Sequence, residues 1–180
     1  KTSKEFKNIP RDPASLAIYA GQEMAKENGP LSSVIKVDQF DTHAGQGSEE
    51  YSNFGTQLAI VDDIIAGYKE GLGDAWDRSI ILTLTEFGRT VAVNGSLGTE
   101  HGYGSVGLLA GGSIAKSRVL TKWPGLAINE QFEGRDLMAT LDYRSVCAAC
   151  IEKALGLDHD LIASEVFFTP KLPRIHDYIF

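Results

Sequence analysis

Three short groups of residues in this chain are suited to chemistry. Asp41-Thr42-His43 stands where a predicted strand ends. Glu86 and Arg89 follow the next predicted strand, and Glu100-His101 lies in a Gly-rich loop. Two histidines and three carboxylates form a nitrogen and oxygen donor set that suits Zn, Mn, Fe or Co better than Ca. A cation on such ligands can polarise an ester oxygen or activate a nucleophile. Arg89 offers a planar fork that can clamp phosphate or sulfate. Each residue also has a duller reading. A loop histidine is more often a surface or hydrogen-bonded group, Asp41 has the type of a loop-forming Asx residue, and Glu86 with Arg89 can be a surface ion pair. The grouping favours a metal: two of the four histidines fall in these loops, each beside a carboxylate and near glycines.

The elements that must position these groups are read from periodicity. Asp12-Pro13 is an N-cap followed by proline at the first helical position. Leu16, Tyr19, Ala20 and Met24 continue at helical spacing until Gly29-Pro30. Val34 to Phe40 reads as a strand and Asp41 to Glu50 as a loop. A second helix spans about Tyr51 to Leu72, with the stripe Leu58, Val61, Ile64, Ile65 and Tyr68. Ser79 to Thr85 is a continuous apolar and β-branched run, the pattern of a strand buried on both faces. Strand, helix and strand make a βαβ unit, whose crossover is expected to be right-handed. Glu86 to Gly104 is a long loop, Gly107 to Ala110 a small-residue strand, and about Leu141 to Leu155 a third helix stopped by Gly156. Ligands of open parallel sheets bind outside the carboxyl ends of the strands. If the strands are parallel, the three groups therefore meet at one edge.

Composition narrows the class. The chain has 180 residues, 43% hydrophobic and 23% charged, which suits a single globular domain over residues 1–180. A net charge of −7 argues against nucleic acid as a partner. It leaves anionic substrates open, since a bound cation reverses the local field. No apolar run is long enough for a membrane span. Lys1 to Pro10 is polar, without the apolar core of a signal segment. Cys147 and Cys150 are the only cysteines and share one face of a predicted helix, so core packing is favoured over redox or zinc chemistry. Neither a G-x-S-x-G elbow nor a phosphate-binding G-x-x-x-x-G-K-[ST] loop occurs.

The motifs F-D-T-H-A-G-Q (Phe40 to Gln46), L-T-E-F-G-R-T (Leu84 to Thr90), N-G-S-L-G-T-E-H-G (Asn94 to Gly102) and L-L-A-G-G (Leu108 to Gly112) resemble the bacterial domain-of-unknown-function 1501 family. W-P-G-L at Trp123 and G-R-D-L at Gly134 fit as well, and the resemblance runs from about Val34 to the C-terminus. Members of that family often carry a twin-arginine export signal, which implies a periplasmic or secreted location. The family resembles a branch of the alkaline phosphatase and sulfatase superfamily. This implies an α/β fold with a parallel or mixed sheet between helices and a metal centre at its carboxyl edge. Asp41 and His43 resemble the pair that holds one metal, and His101 the late histidine that completes it. Glu86 resembles the start of the pair that holds a second metal, but Phe87 stands where the partner histidine would be, and Glu100 stands where the family usually has Asp. The superfamily's first metal aspartate and its Ser or Thr nucleophile come from an N-terminal part with no counterpart in these motifs. The chain therefore reads as the C-terminal half of such a fold. A half-sheet leaves an unpaired edge, which favours a homo-oligomer or association with the other half.

Two functions follow. The first is a metal-dependent hydrolase of small phosphate or sulfate esters, or its metal-binding half. Asp41, His43, Glu86 and His101 are its candidate ligands for Zn, Mn or Fe, with Glu86 and Arg89 the candidate catalytic residues. The alternative is a non-catalytic exported module that keeps the fold and a structural metal.

Overall fold

In a computed structural model of the chain, residues 9–180 are described. Most of the polar stretch Lys1 to Pro10 therefore lies outside the described residues. The chain forms two compact units, one comprising Lys1–Asp77 with Gly95–Gly98, the other Arg78–Asn94 with Thr99–Phe180.

The first unit is a helical pair joined by a long loop. Helix α1, Pro13–Met24, begins as its sequence dictates: the Asp12 carboxylate accepts the Ser15 amide, and proline occupies the first turn. Helix α2, Asn53–Leu72, is capped by the Ser52 hydroxyl, which accepts the Gly55 amide. Ile64 and Tyr68 of its stripe are buried, as is Leu72 beyond it, whereas Leu58 is 42% exposed. The seam with α1 is made of small residues. Ala17 and Gly21 are buried, and a Cβ on Gly67 would lie 2.6 Å from the Ala14 carbonyl oxygen. A Cβ on Gly71 would overlap the backbone of Ile18. At these glycines the helices approach backbone to backbone. Val34 to Phe40 enters no β-ladder, and Val34 is 93% exposed. Ile35, Val37 and Phe40 are only partly covered, so little apolar burial drives strand pairing there.

The second unit holds four short strands. β1 (Ile81–Leu82) pairs with β4 (Leu109–Ala110), and β2 (Gly88–Arg89) pairs with β3 (His101–Gly102); both pairs are antiparallel. β2 has a neighbour on its other side, where Thr90 bridges Asp136 and the Leu137 amide donates to the Arg89 carbonyl at 3.1 Å. Helix α3, Tyr143–Leu155, starts at Asp142 and ends at Gly156 in the left-handed region, a conformation that costs glycine little. Ala148 of α3 joins Ile162, Ala163 and Leu172 in a small core, against which Ile151 and Phe167 pack. Its members come from α3, the π-turn Ile162–Val166 and the tail that follows, just after the short helix α4 (His159–Leu161). Buried His159 donates from Nε2 to the Leu172 carbonyl at 2.9 Å and ties the tail down. The last helix, α5 (His176–Ile179), is anchored by buried Ile179 and by Arg174, which forks onto Glu152. Among the described residues, no helix is long and apolar enough to cross a membrane.

Two stability outcomes follow. Gly71→Ala gains about 1 kcal/mol of helix propensity, but its methyl meets unyielding backbone, an overpacking cost of about 1–3 kcal/mol. We expect net destabilisation by about 1 kcal/mol in denaturant unfolding, while Gly95→Ala, in open space, stays within about 0.5 kcal/mol of the parent. The Asp142 carboxylate accepts the Arg144 amide at 2.9 Å and the Arg144 guanidinium at 2.6–3.1 Å. These bonds, the guanidinium's first, hold its pKa below the ordinary carboxylate range. Because the folded value is depressed, the stabilisation is fully present above the unfolded pKa of about 4 and is lost as pH falls through the folded value. Asp142→Ala should cost about 1 kcal/mol at neutral pH, and the gap to wild type should narrow in unfolding curves taken below about pH 4. A gap that widens in acid would contradict the assignment.

Candidate metal centre

Asp41 and His43 sit on the loop between α1 and α2. The loop is shaped by side-chain and main-chain bonds within it and to the start of α2. The Asn53 amide of α2 donates to the Gly45 carbonyl at 2.9 Å, the Thr42 hydroxyl to Gln46 Oε1 at 2.8 Å, and the Phe54 amide to the Gln46 carbonyl at 3.0 Å. Phe40 and Phe54 meet edge to face, with ring centroids 5.9 Å apart. Residues 95–98 close the loop from outside. Gly45 and Gln46 donate to the carbonyls of Ser96 and Leu97, each at 2.9 Å, and Ala44 bridges Leu97. Gly98 lies so close to His43 that any Cβ would overlap its carbonyl group. On this frame His43 Nε2 stands 3.0 Å from Asp41 Oδ1, both side chains about half exposed. They face a polar hollow of ≈ 270 Å³ shared with Gln39, Thr42, Asn53 and Gln57. The helix residues Asn53 and Gln57 are absent from the set read out of the sequence. Only their position in the first turns of α2 could have suggested them.

Arg89, Glu86 and His101 belong to the second unit. Arg89 and His101 are register partners across β2 and β3. The Arg89 guanidinium donates from Nη1 to the Thr99 carbonyl at 3.0 Å, and its carbon lies 5.3 Å from the centre of the Phe87 ring. The Phe87 ring in turn stacks on the His101 imidazole, with centroids 3.8 Å apart and planes inclined by 18°. Glu86 is exposed and lines a separate hollow with Leu84, Thr85 and Tyr143. Glu100 closes its own loop, its carboxylate accepting the Asn94 amide at 2.5 Å and its backbone amide donating to the Thr90 hydroxyl at 3.1 Å. Next to the ladder, Arg135 lies 2.7 Å from the buried Asp136 carboxylate, whose hydrogen bond raises the guanidinium pKa above its ordinary value.

Cys147 and Cys150 are both free and half-buried. Burial, with a smaller push from Cys147, drives the Cys150 thiol up to about 12, and burial raises Cys147 as well. The thiolate is the nucleophile and the metal ligand, so the pair belongs to packing.

The family described as "Protein of unknown function (DUF1501)" matches residues 18–160, and the chain belongs to it. No curated protein and no solved structure matches the chain.

Gly98→Ala should prise residues 95–98 away from the Asp41/His43 loop. We expect the Gly45 and Gln46 amides to exchange with deuterium at least about tenfold faster, which corresponds to about 1.4 kcal/mol of lost local stability. Unchanged exchange at both amides would show that the overlap is relieved without opening the loop.

Proposed function

We propose that this chain carries the metal-binding part of an alkaline-phosphatase-like, metal-dependent hydrolase of small phosphate or sulfate esters. In this reading Asp41, His43 and His101 hold a divalent cation, Zn, Mn or Fe. The observation that carries it is the Asp41–His43 pair, with donor atoms 3.0 Å apart on a loop braced from both sides. Two ligands each about 2.0–2.2 Å from one ion stand about 3 Å apart at a right angle and about 3.3–3.6 Å apart at the tetrahedral angle, so the pair needs little or no opening to share a cation. His101 joins the pair through the superfamily resemblance, in which a late histidine completes the first metal.

The cation would polarise the ester oxygen and offset the charge that develops on it. The chain's own residues do the rest. Arg89 is already oriented by the Thr99 carbonyl and the Phe87 ring, and it presents charge to the anionic group. Glu86, exposed beside the separate hollow lined by Leu84, Thr85 and Tyr143, would take a proton or serve as a further ligand in this reading. The parallel sheet and the periplasmic or secreted location belong to the same reading, through the superfamily resemblance and the family's export signals.

Metal per chain in the purified protein tests this directly. We expect near-stoichiometric Zn, Mn or Fe in the wild type, loss in Asp41→Ala, His43→Ala and His101→Ala, and retention in His176→Ala, whose imidazole pairs with Asp177. Equal metal in all five proteins would sink the ligand assignment. Bound metal without turnover of aryl phosphates or sulfates would favour the alternative, an exported module with a structural metal.

A further inference from the structure

We infer that Phe87 is the positioning residue of this site: one apolar ring braces both His101 and Arg89. The inference rests on the metal reading above for its functional meaning, but its geometry stands alone. The sequence pattern marks Phe87 only as a departure, an aromatic ring where a ligand histidine would be. In the structure that ring lies face to face with the His101 imidazole, 3.8 Å between centroids and 18° between planes. The same ring has the Arg89 guanidinium carbon 5.3 Å from its centre.

Both contacts constrain orientation more than they add energy. An imidazole on a β-strand side chain has a broad, roughly two-fold preference at its terminal torsion. A flat partner at stacking distance removes the rotations that would swing the ring edge-on. Such a contact leaves both ring nitrogens at the edges, where they can donate or ligate. The Thr99 carbonyl takes one arm of the Arg89 fork at 3.0 Å, and the guanidinium carbon lies over the Phe87 ring, 5.3 Å from its centre. β2 and β3 supply the spacing. Arg89 and His101 are partners across the ladder, and Phe87 precedes β2 by a single residue. A histidine at position 87 would offer a further ligand atom, whereas phenylalanine supplies only a face. Its contribution to metal binding is therefore indirect, by reducing the orientational freedom that His101 must lose on binding.

The test compares Phe87→Leu, which keeps apolar bulk without a flat face, with Phe87→Tyr, which keeps the face. Zn²⁺ titration of the metal-stripped full chain is read beside His101→Ala, thermal unfolding, and the proton chemical shifts of the His101 ring in the metal-free protein. We expect Phe87→Leu to bind Zn²⁺ about tenfold or more weakly, with an unfolding midpoint close to wild type. Its His101 ring protons should lose the upfield displacement that a stacked ring imposes, and Phe87→Tyr should restore both. Wild-type Zn²⁺ affinity in Phe87→Leu, with His101→Ala losing the metal, would overturn the positioning role. Unchanged His101 shifts in Phe87→Leu would overturn it as well. Should His101→Ala keep full affinity, the ligand assignment fails, while the ring shifts of the metal-free protein still decide whether Phe87 orients His101.

Discussion

The Arg89 peptide is bonded on both sides: its amide donates to the Gly104 carbonyl at 3.1 Å and its carbonyl accepts the Leu137 amide at 3.1 Å. The second unit's chemically suggestive residues depend on that double attachment. β2 and β3 are two residues each, too short to persist as an isolated hairpin. The flanking segment through Asp136 supplies a third line of backbone bonds, with the Val91 amide on the Arg135 carbonyl and the Gly104 amide on the Leu137 carbonyl. Buried Asp136, beside the Arg135 guanidinium, adds a charged pairing at the same point. The ladder fixes where His101 and Arg89 leave the backbone, and the Phe87 ring then limits how they turn.

Helices were the legible part of this chain. Their termini carry local signals, and each acts within a few residues: Asp12 and Pro13 at the start of α1, Gly156 at the end of α3. The expected second and third helices began within two residues of the observed starts. Strands were less legible. Of the continuous run Ser79 to Thr85 only Ile81 and Leu82 enter a ladder, with Leu109 and Ala110 of the small-residue strand expected at Gly107 to Ala110. Pairing is a property of two distant segments, and a single apolar run contains no information about its partner's direction. The ladder through Gly88 and Gly102 left no periodic trace, because glycines have no side chains to alternate.

The candidate site divides along the same line. Asp41 and His43 were readable because two residues of spacing is a local fact, and their donor atoms do converge. Glu86 was readable as an acid after a strand run, but its hollow with Tyr143 was not, since that residue is far along the chain. Phe87 could be read only as a missing histidine. Its actual partners are a residue two positions on and another fourteen positions on, and that second contact exists only through the cross-strand register.

Residues 95–98 have a consequence for the order of events during synthesis. They are encoded after the start of the second unit, yet their backbone completes the loop around His43. The first unit is thus discontinuous in sequence. A ribosome that has released everything through Asp77 has released its two helices but not the segment that closes its loop. The α1/α2 pair can form early from local contacts, whereas the Asp41/His43 loop must wait until Gly98 emerges, a closure across about fifty residues with the entropic cost of a long loop. For the same reason a gene divided between the helical pair and the remainder would separate this loop from its own last four residues.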